Sequence, residues 1–399
     1  MRTTNCSALV LSLIATGSAW GLQVGLEIPV KESKCGVSQH NVVISRDSSR
    51  TLIAFDESES AAEPSRVVLH QYEANVGVPR GRETFALDSS SNDQRRPAFG
   101  QNMIAWIEED ANGQSSLWWQ GLSEYTVGTS YRPVTDAERV ADVAPETGLT
   151  ILNTHVFHVM LWTAPDGRLK GAYRSLIARI GYDPNPFYVS NEPALNPSAG
   201  VPWSATVPLV AYNYEVPQES CTGTCAPQYA IRATVLGGSP GPQTSPQAAI
   251  DIAPAGASAP RVVFNGTDFV VFWSMKDGGT FAQRVTSAGG AALRIGEPLQ
   301  IHDGAIHDAT VAPNDRYMLA VERGPRRSLL HLDRDLQVVE TIPFLARLDA
   351  GATVSLSGSS TSFPILAYAA QRTGDCGASQ AILRVLDDST APRKRRSVR

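Results

Sequence analysis

The chain has 399 residues, 42% of them hydrophobic, with 32 glycines and 26 prolines. That composition belongs to a globular chain and excludes a disordered one. A formal charge of −5 argues against a general polyanion-binding surface, so no nucleic-acid partner is expected.

Met1-Arg2, an apolar run over residues 8–15 and the small residues Gly17-Ser18-Ala19 have the order of a secretory signal. The pattern predicts a cleaved segment 1–19, with Ala19-Trp20-Gly21 as a second site of the same kind. The run is too short to span a bilayer, and no later stretch approaches the roughly 20 apolar residues a span requires. A secreted or periplasmic protein without a membrane span is expected.

Cys6 leaves with that segment, so Cys35, Cys221, Cys225 and Cys376 remain. An even number in an exported chain favours disulfides. Cys221 and Cys225 bracket three residues and most simply close a local loop, which leaves Cys35 for Cys376. A metal at this Cys-x3-Cys would need two further soft ligands, and none is near in sequence.

Short apolar runs ending in an aromatic recur at intervals of roughly fifty residues. They are Leu52-Ile-Ala-Phe55, Met103-Ile-Ala-Trp106, Val159-Met-Leu-Trp162, Leu209-Val-Ala-Tyr212, Val270-Val-Phe-Trp273 and Ile365-Leu-Ala-Tyr368, with Met318-Leu-Ala-Val321 lacking the aromatic. Such runs suit strands covered on both faces. An inner strand precedes each run, for example Arg261-Val-Val-Phe264; the fourth is placed at Pro193-Ala-Leu195. A third strand follows, such as Phe281-Ala-Gln-Arg-Val285, and Asn112-Gly113, Asp166-Gly167 and Asn265-Gly266 supply hairpin turns. The spacing predicts an all-β, seven-bladed β-propeller over residues 22–388, followed by a basic disordered tail, 389–399. The seventh repeat stops after its third strand, and Leu22-Gln-Val-Gly-Leu-Glu-Ile28 is expected to close it as an outer strand. The same closure would bring Cys35 to Cys376.

With Pro260, Asn265-Gly266, the run to Trp273, Arg284-Val285 and Gly289, the fifth copy resembles the roughly 50-residue repeats of secreted bacterial β-propeller proteins. The resemblance implies an architecture and no particular activity.

His302-Asp303-Gly-Ala-Ile-His307-Asp308 joins the fifth repeat to the sixth, where the channel mouth is expected. Two imidazoles and two carboxylates there could hold a divalent metal, act as an acid–base pair, or form only a solvated polar turn. Asp349, Glu192, and Asp93 with Arg95 and Arg96 fall at comparable positions, which predicts a charged mouth with His302, Asp303, His307, Asp308, Asp349 and Arg95 as ligand-binding candidates. His155 and His158 alternate across a strand and are unrelated. Gly237-Gly-Ser239-Pro-Gly241 fits a nucleophile motif, but Pro240, Pro242 and Pro246 exclude the helix such an elbow needs. Ser274-Met-Lys-Asp277-Gly278-Gly-Thr280-Phe281 approaches the Asp-box of sialidase-like propellers, with its Asp displaced by one position. Trp118, Trp119, Trp203 and Tyr229 could stack on sugars but suit packing between blades better. No P-loop, His-Glu-x-x-His or EF-hand loop occurs, so no cofactor is expected. The reading that results is a monomeric scaffold binding a protein or glycan. The alternative is a carbohydrate hydrolase or lyase using Asp303, Asp308 and Asp349 at the mouth.

Overall fold

The computed structural model describes residues 22–388 apart from 32–34, 47–49, 61, 74–82, 88–89, 101–102, 123–135, 154–156, 176–185, 202–206, 218–226, 237–247, 289, 345–347, 349–351, 360–361 and 372–377. Cys221, Cys225, Cys376, Asp349, His155, Trp203 and the Gly237–Gly241 loop therefore lie outside the described residues.

Among the described residues every regular element is a strand, and there is no helix. The chain opens with two short strands, β1 (Leu22–Val24) and β2 (Ile28–Pro29). The first meander is β3 (Ser38–Arg46), β4 (Arg50–Ser58), β5 (Arg66–Glu73) and β6 (Glu83–Ala86). The second is β7 (Asp93–Gly100), β8 (Met103–Glu109), β9 (Ser115–Gly121) and β10 (Glu138–Asp142). A seven-stranded sheet then runs through β11 (Leu149–Asn153), β12 (Phe157–Thr163), β13 (Arg168–Ser175), β14 (Phe187–Gly200), β15 (Leu209–Val216), β16 (Gln228–Val235) and β17 (Ile250–Ala253). Two further meanders are β18 (Ala257–Phe264) to β21 (Ala291–His302), through β19 (Phe269–Met275) and β20 (Thr280–Ala288), and β22 (Ala305–Ala312) to β25 (Val338–Phe344), through β23 (Arg316–Arg323) and β24 (Arg326–Leu332). The last sheet holds β26 (Val354–Ser359), β27 (Ser362–Gln371) and β28 (Ser379–Asp388), and both β1 and β2 pair with β28.

The sheets stand around a propeller-like ring. β3, β7, β11, β14, β18, β22 and β26 each neighbour the next, and β26 neighbours β3. Neighbouring sheets cover both faces of the second strand of each meander, which is why those strands read as unbroken apolar runs. Met103–Glu109 and Phe269–Met275 are buried at every position but the last. Phe55, Trp106, Trp162, Tyr212, Trp273 and Tyr368 are all at most 2% exposed, so the recurring aromatic is a core residue.

The sheets number six rather than seven because β14 runs unbroken from the edge of one meander to the inner strand of the next. Its first part pairs with β13 and its second with β15. The fourth inner strand pairs with β15 from Ala194 to Gly200, so it includes Ala194 and Leu195 of the expected segment but extends past a bulge to Ser198–Gly200. A bulge marks its register. Asn41, Arg96, Asn196 and Ala259 all have left-handed φ between 47° and 52°, and each lies at a register shift in an inner strand. Three precede proline (Pro97, Pro197 and Pro260), which disfavours the right-handed helical region for the residue before it.

Past the bulge, equivalent positions tie one inner strand to the next. Ser198 Oγ accepts from Val262 N at 3.0 Å, Ser355 Oγ from Ile44 N at 3.4 Å and Asp308 Oδ2 from Leu356 N at 2.7 Å. A second set of ties starts from the residue after three of the aromatics, Trp162, Tyr212 and Trp273. Thr163 Oγ1 donates to Ala194 O at 2.9 Å, Asn213 Nδ2 to Ala257 O at 3.0 Å, and Ser274 Oγ accepts from Ile306 N at 2.8 Å.

At the chain ends, Leu22, Gln23 and Val24 pair with Asp388, Asp387 and Leu386. Glu27 accepts from Tyr368 Oη at 2.9 Å and pairs with Arg384 at 3.0 Å. Gln380 Nε2 donates to Lys31 O at 3.1 Å, and Ala381 N donates to Gln39 Oε1 at 2.8 Å. Among the described residues no helix is long and apolar enough to cross a membrane.

Candidate functional site at the β21–β22 junction

His302 ends β21, Asp303 and Gly304 make the turn, and β22 begins at Ala305. Gly304 is fixed by sterics, since a Cβ there would lie 2.3 Å from the Glu322 carbonyl oxygen. Its N–H donates to His302 Nδ1 at 2.9 Å, and its carbonyl accepts from Thr280 Oγ1 at 2.7 Å. Burial pushes the His302 pKa down, in keeping with a neutral ring that accepts at Nδ1. Asp303 stands outside this frame, 63% exposed and 3.2 Å from the equally open Arg323 guanidinium.

His307 and Asp308 belong to the inner strand. His307 Nε2 is 3.1 Å from Glu322 Oε2, which also pairs with Arg327 Nε at 2.9 Å. Burial pushes the His307 pKa down despite that carboxylate. Asp308 Oδ1 is 3.2 Å from Arg261 Nε and accepts from Ala309 N at 2.9 Å. Its other oxygen takes the Leu356 N–H at 2.7 Å. Burial raises the Asp308 pKa, with Arg261 and the two N–H donors opposing.

The fold thus divides the expected constellation. His302 Nδ1 accepts a backbone N–H and His307 Nε2 faces Glu322, so the two imidazoles have separate partners. Among the described residues no group of three or more His, Cys, Asp or Glu side chains is arranged to hold a metal. Arg95 is at the same end of the ring but on β7, whose ring neighbours are β3 and β11. There it pairs with Asp93 at 2.6 Å and Glu109 at 3.1 Å. Burial lowers its pKa, but these two carboxylates outweigh it and hold the guanidinium above its ordinary range. Arg95 does not join the junction, and Asp349 lies outside the described residues.

Sequence reasoning did not find Arg261, Glu322, Arg323 and Arg327, which come from other strands. It also passed over Asp56, which follows the aromatic Phe55 and occupies the position that Thr163, Asn213 and Ser274 use for ties. Asp56 is 4% exposed; Oδ2 accepts from Asn41 Nδ2 at 3.0 Å, and Oδ1 has no hydrogen-bond partner. Burial raises its pKa to about 6, against the Asn41 hydrogen bond and the nearby His40. The tryptophan pair offers no platform: Trp119 is buried, and half-buried Trp118 donates from Nε1 to Ser116 Oγ. Aromatics capped by cations lie instead on the seven-stranded sheet. The Arg168 guanidinium stacks 3.8 Å from the Tyr188 centroid and that of Arg232 4.0 Å from Tyr214.

No protein-family model matches the chain, and no curated protein matches it in sequence. Among solved structures the fold is similar to the β-propeller domain of the Trilobed protease from Pyrococcus furiosus, a propeller of open velcro topology. That likeness has a TM-score of 0.50 at 7% identity and covers 89% of this chain and 100% of that one. It is also similar to prolyl oligopeptidase B from Galerina marginata, with a TM-score of 0.52 at 10% identity, over 91% of this chain and 50% of that one. A Trypanosoma rangeli sialidase is a looser match, with a TM-score of 0.47 at 8% identity over 90% of this chain and 56% of that one. At these identities the likeness bears on fold alone. By fold, the chain is a β-propeller.

Proposed function

We propose that this chain is a secreted β-propeller that binds a protein or glycan partner at the rim around the β21–β22 junction. One observation carries the reading: the junction's carboxylates are already matched by cations of the same chain. Asp308 is held by Arg261 and two backbone N–H groups, and Glu322 by Arg327 and His307. Such a network makes a rigid polar floor and leaves no free acid and base to divide a reaction between them. Above it, the open Asp303–Arg323 pair can exchange its partner for a ligand's hydroxyl or charge, because an exposed ion pair contributes only about 0–1 kcal/mol.

A thermal-shift series on the mature protein with oligosaccharides and cell-wall fragments tests this. The shift given by a binding fragment is expected to vanish in an Asp303→Ala/Arg323→Ala double variant that keeps the unliganded melting point. A shift that survives both substitutions moves the site elsewhere. One observation favours hydrolysis as a second reading: burial pushes the Asp56 carboxyl, at the same end of the ring, up to about 6, the range that suits a general acid. New reducing ends, lost in Asp56→Asn, would establish it.

We also read the ring as seven blades, the seven-stranded sheet being two blades joined through β14 and the last blade taking its outer strand from β1 and β2. The cyclic order of the inner strands supports this. The proposed partner of Cys35 is Cys376, three residues before β28. The Lys31–Gln380 and Gln39–Ala381 hydrogen bonds bring the flanks of both cysteines together. Non-reducing peptide mapping should recover that pair; a Cys35–Cys221 peptide would refute it.

A further inference from the structure

Leu22 opens β1 and is bound more firmly than a fraying strand end needs. Its side chain is 8% exposed and packs in one apolar cluster with Ile342 and Phe344 of β25 and Leu386 of β28. Its backbone nitrogen donates to Glu340 Oε1 of β25 at 3.0 Å. That bond reaches sideways, out of the sheet that β1 completes and into the neighbouring one.

The electrostatics of Glu340 are incomplete around that bond. Among the described residues no lysine or arginine lies within ion-pair distance of it. The basic side chain within that distance among the described residues is His331, whose Nδ1 is 3.9 Å from Glu340 Oε2. His331 is 7% exposed with no hydrogen-bond partner for Nε2, and burial together with the charge of Arg316 pushes its pKa down. Near neutral pH the imidazole is uncharged. A half-buried carboxylate therefore faces an amide N–H where a cation would suit it better.

The sequence just before Leu22 can supply that cation. Ala19-Trp20-Gly21 puts small residues one and three positions before the Gly21–Leu22 bond, as a signal-peptide cleavage site requires. We infer that the exported chain is processed between Gly21 and Leu22, and that the new α-ammonium of Leu22 pairs with Glu340 to lock the first strand against the neighbouring blade. Hydrolysis of that one peptide bond leaves a carboxylate on Gly21 and the ammonium on Leu22. The amide donor becomes a group with three donors and a full charge at the same atom. Cleavage after Ala19, the other site of this kind, would leave Glu340 with only the amide.

The inference rests on export, and one experiment separates the two. The full chain is expressed in an exporting bacterial host, and the protein outside the cytoplasm is analysed by N-terminal sequencing and intact mass. Leu22-Gln-Val is the expected start. A start at Trp20 overturns the processing site while leaving export intact. A start at Met1 overturns both. The pairing has its own readout, NMR titration of the isotopically dimethylated N-terminus. Its pKa is expected about one unit above the ordinary α-amino value of roughly 7.7–8.0 and to return there in Glu340→Gln. A terminus that titrates alike in both proteins overturns the ion pair.

Discussion

Asp308 and Asp56 lie at the same end of the ring, and the fold supplies them with unequal sets of partners. Asp308 sits on an inner strand between two neighbours, with Arg261 on one side and the Leu356 N–H on the other. Its charge closes a link in a chain of inter-strand ties that elsewhere needs only a serine hydroxyl, as at Ser198 and Ser355. Asp56 is at a tie position too, yet it has one amide donor and one oxygen without a partner. Burial raises the pKa of both carboxylates, but at Asp308 it is opposed by Arg261 and two backbone N–H groups, and at Asp56 chiefly by the Asn41 amide and the nearby His40. Proximity to the channel does not set that opposition; the supply of donors does.

Asp56 gives the largest effect. Its folded pKa, about 6, is raised above the ordinary 3.8. The folded chain therefore holds this proton more tightly than the unfolded one. The stabilisation is present in full below about pH 4 and is lost as pH rises toward 6. Asp56→Asn removes that loss, so the variant should be more stable than the parent at pH 7 by about 3 kcal/mol, with the gap closing toward pH 4. Urea unfolding midpoints across that range measure it. A variant no more stable than the parent at pH 7 breaks the contrast with Asp308.

Arg261→Met tests the other side. It leaves Asp308 charged, half-buried and served only by backbone N–H groups. The expected loss is about 2 kcal/mol at neutral pH, discounted from a fully buried pair because both side chains keep some contact with water. It should shrink as acid protonates Asp308, the reverse of the Asp56 profile. Parallel pH profiles for the two variants would mean that donor supply does not separate the sites.

The ring was legible because one strand per meander is covered on both faces. Runs such as Met103–Trp106 and Val270–Trp273 have no reason to be continuously apolar except such burial. Continuity through β14 was not legible. Pro193 resembles Pro97 and Pro260, yet the matching bulge is at Asn196-Pro197, and only a left-handed residue in the pairing register reveals that. At the junction, sequence proximity suggested that His302, Asp303, His307 and Asp308 act together. Gly304 turns the chain between them, and their partners arrive from β18, β23 and β24, whose register no local pattern encodes. Asp56 left a usable sign, a carboxylate directly after the buried Ile53-Ala-Phe55, where other repeats place Thr163, Asn213 and Ser274.

The smallest effect belongs to the third acidic residue of this rim, and it separates a binding role from a structural one. Asp303 and Arg323 are 63% and 67% exposed at 3.2 Å, so water already solvates both charges. Either alanine substitution should change stability by less than about 0.5 kcal/mol. If the pair meets the ligand, the same substitutions weaken binding at least tenfold, a loss of about 1.4 kcal/mol that appears only in the complex. The unfolding midpoint and ligand affinity of each single variant measure the two quantities independently. A stability loss that matches the affinity loss would make the pair a strut of the junction, as Arg261 and Asp308 are. An unchanged midpoint with weakened binding would leave Asp303 as the one carboxylate of the junction whose charge the fold keeps for a partner.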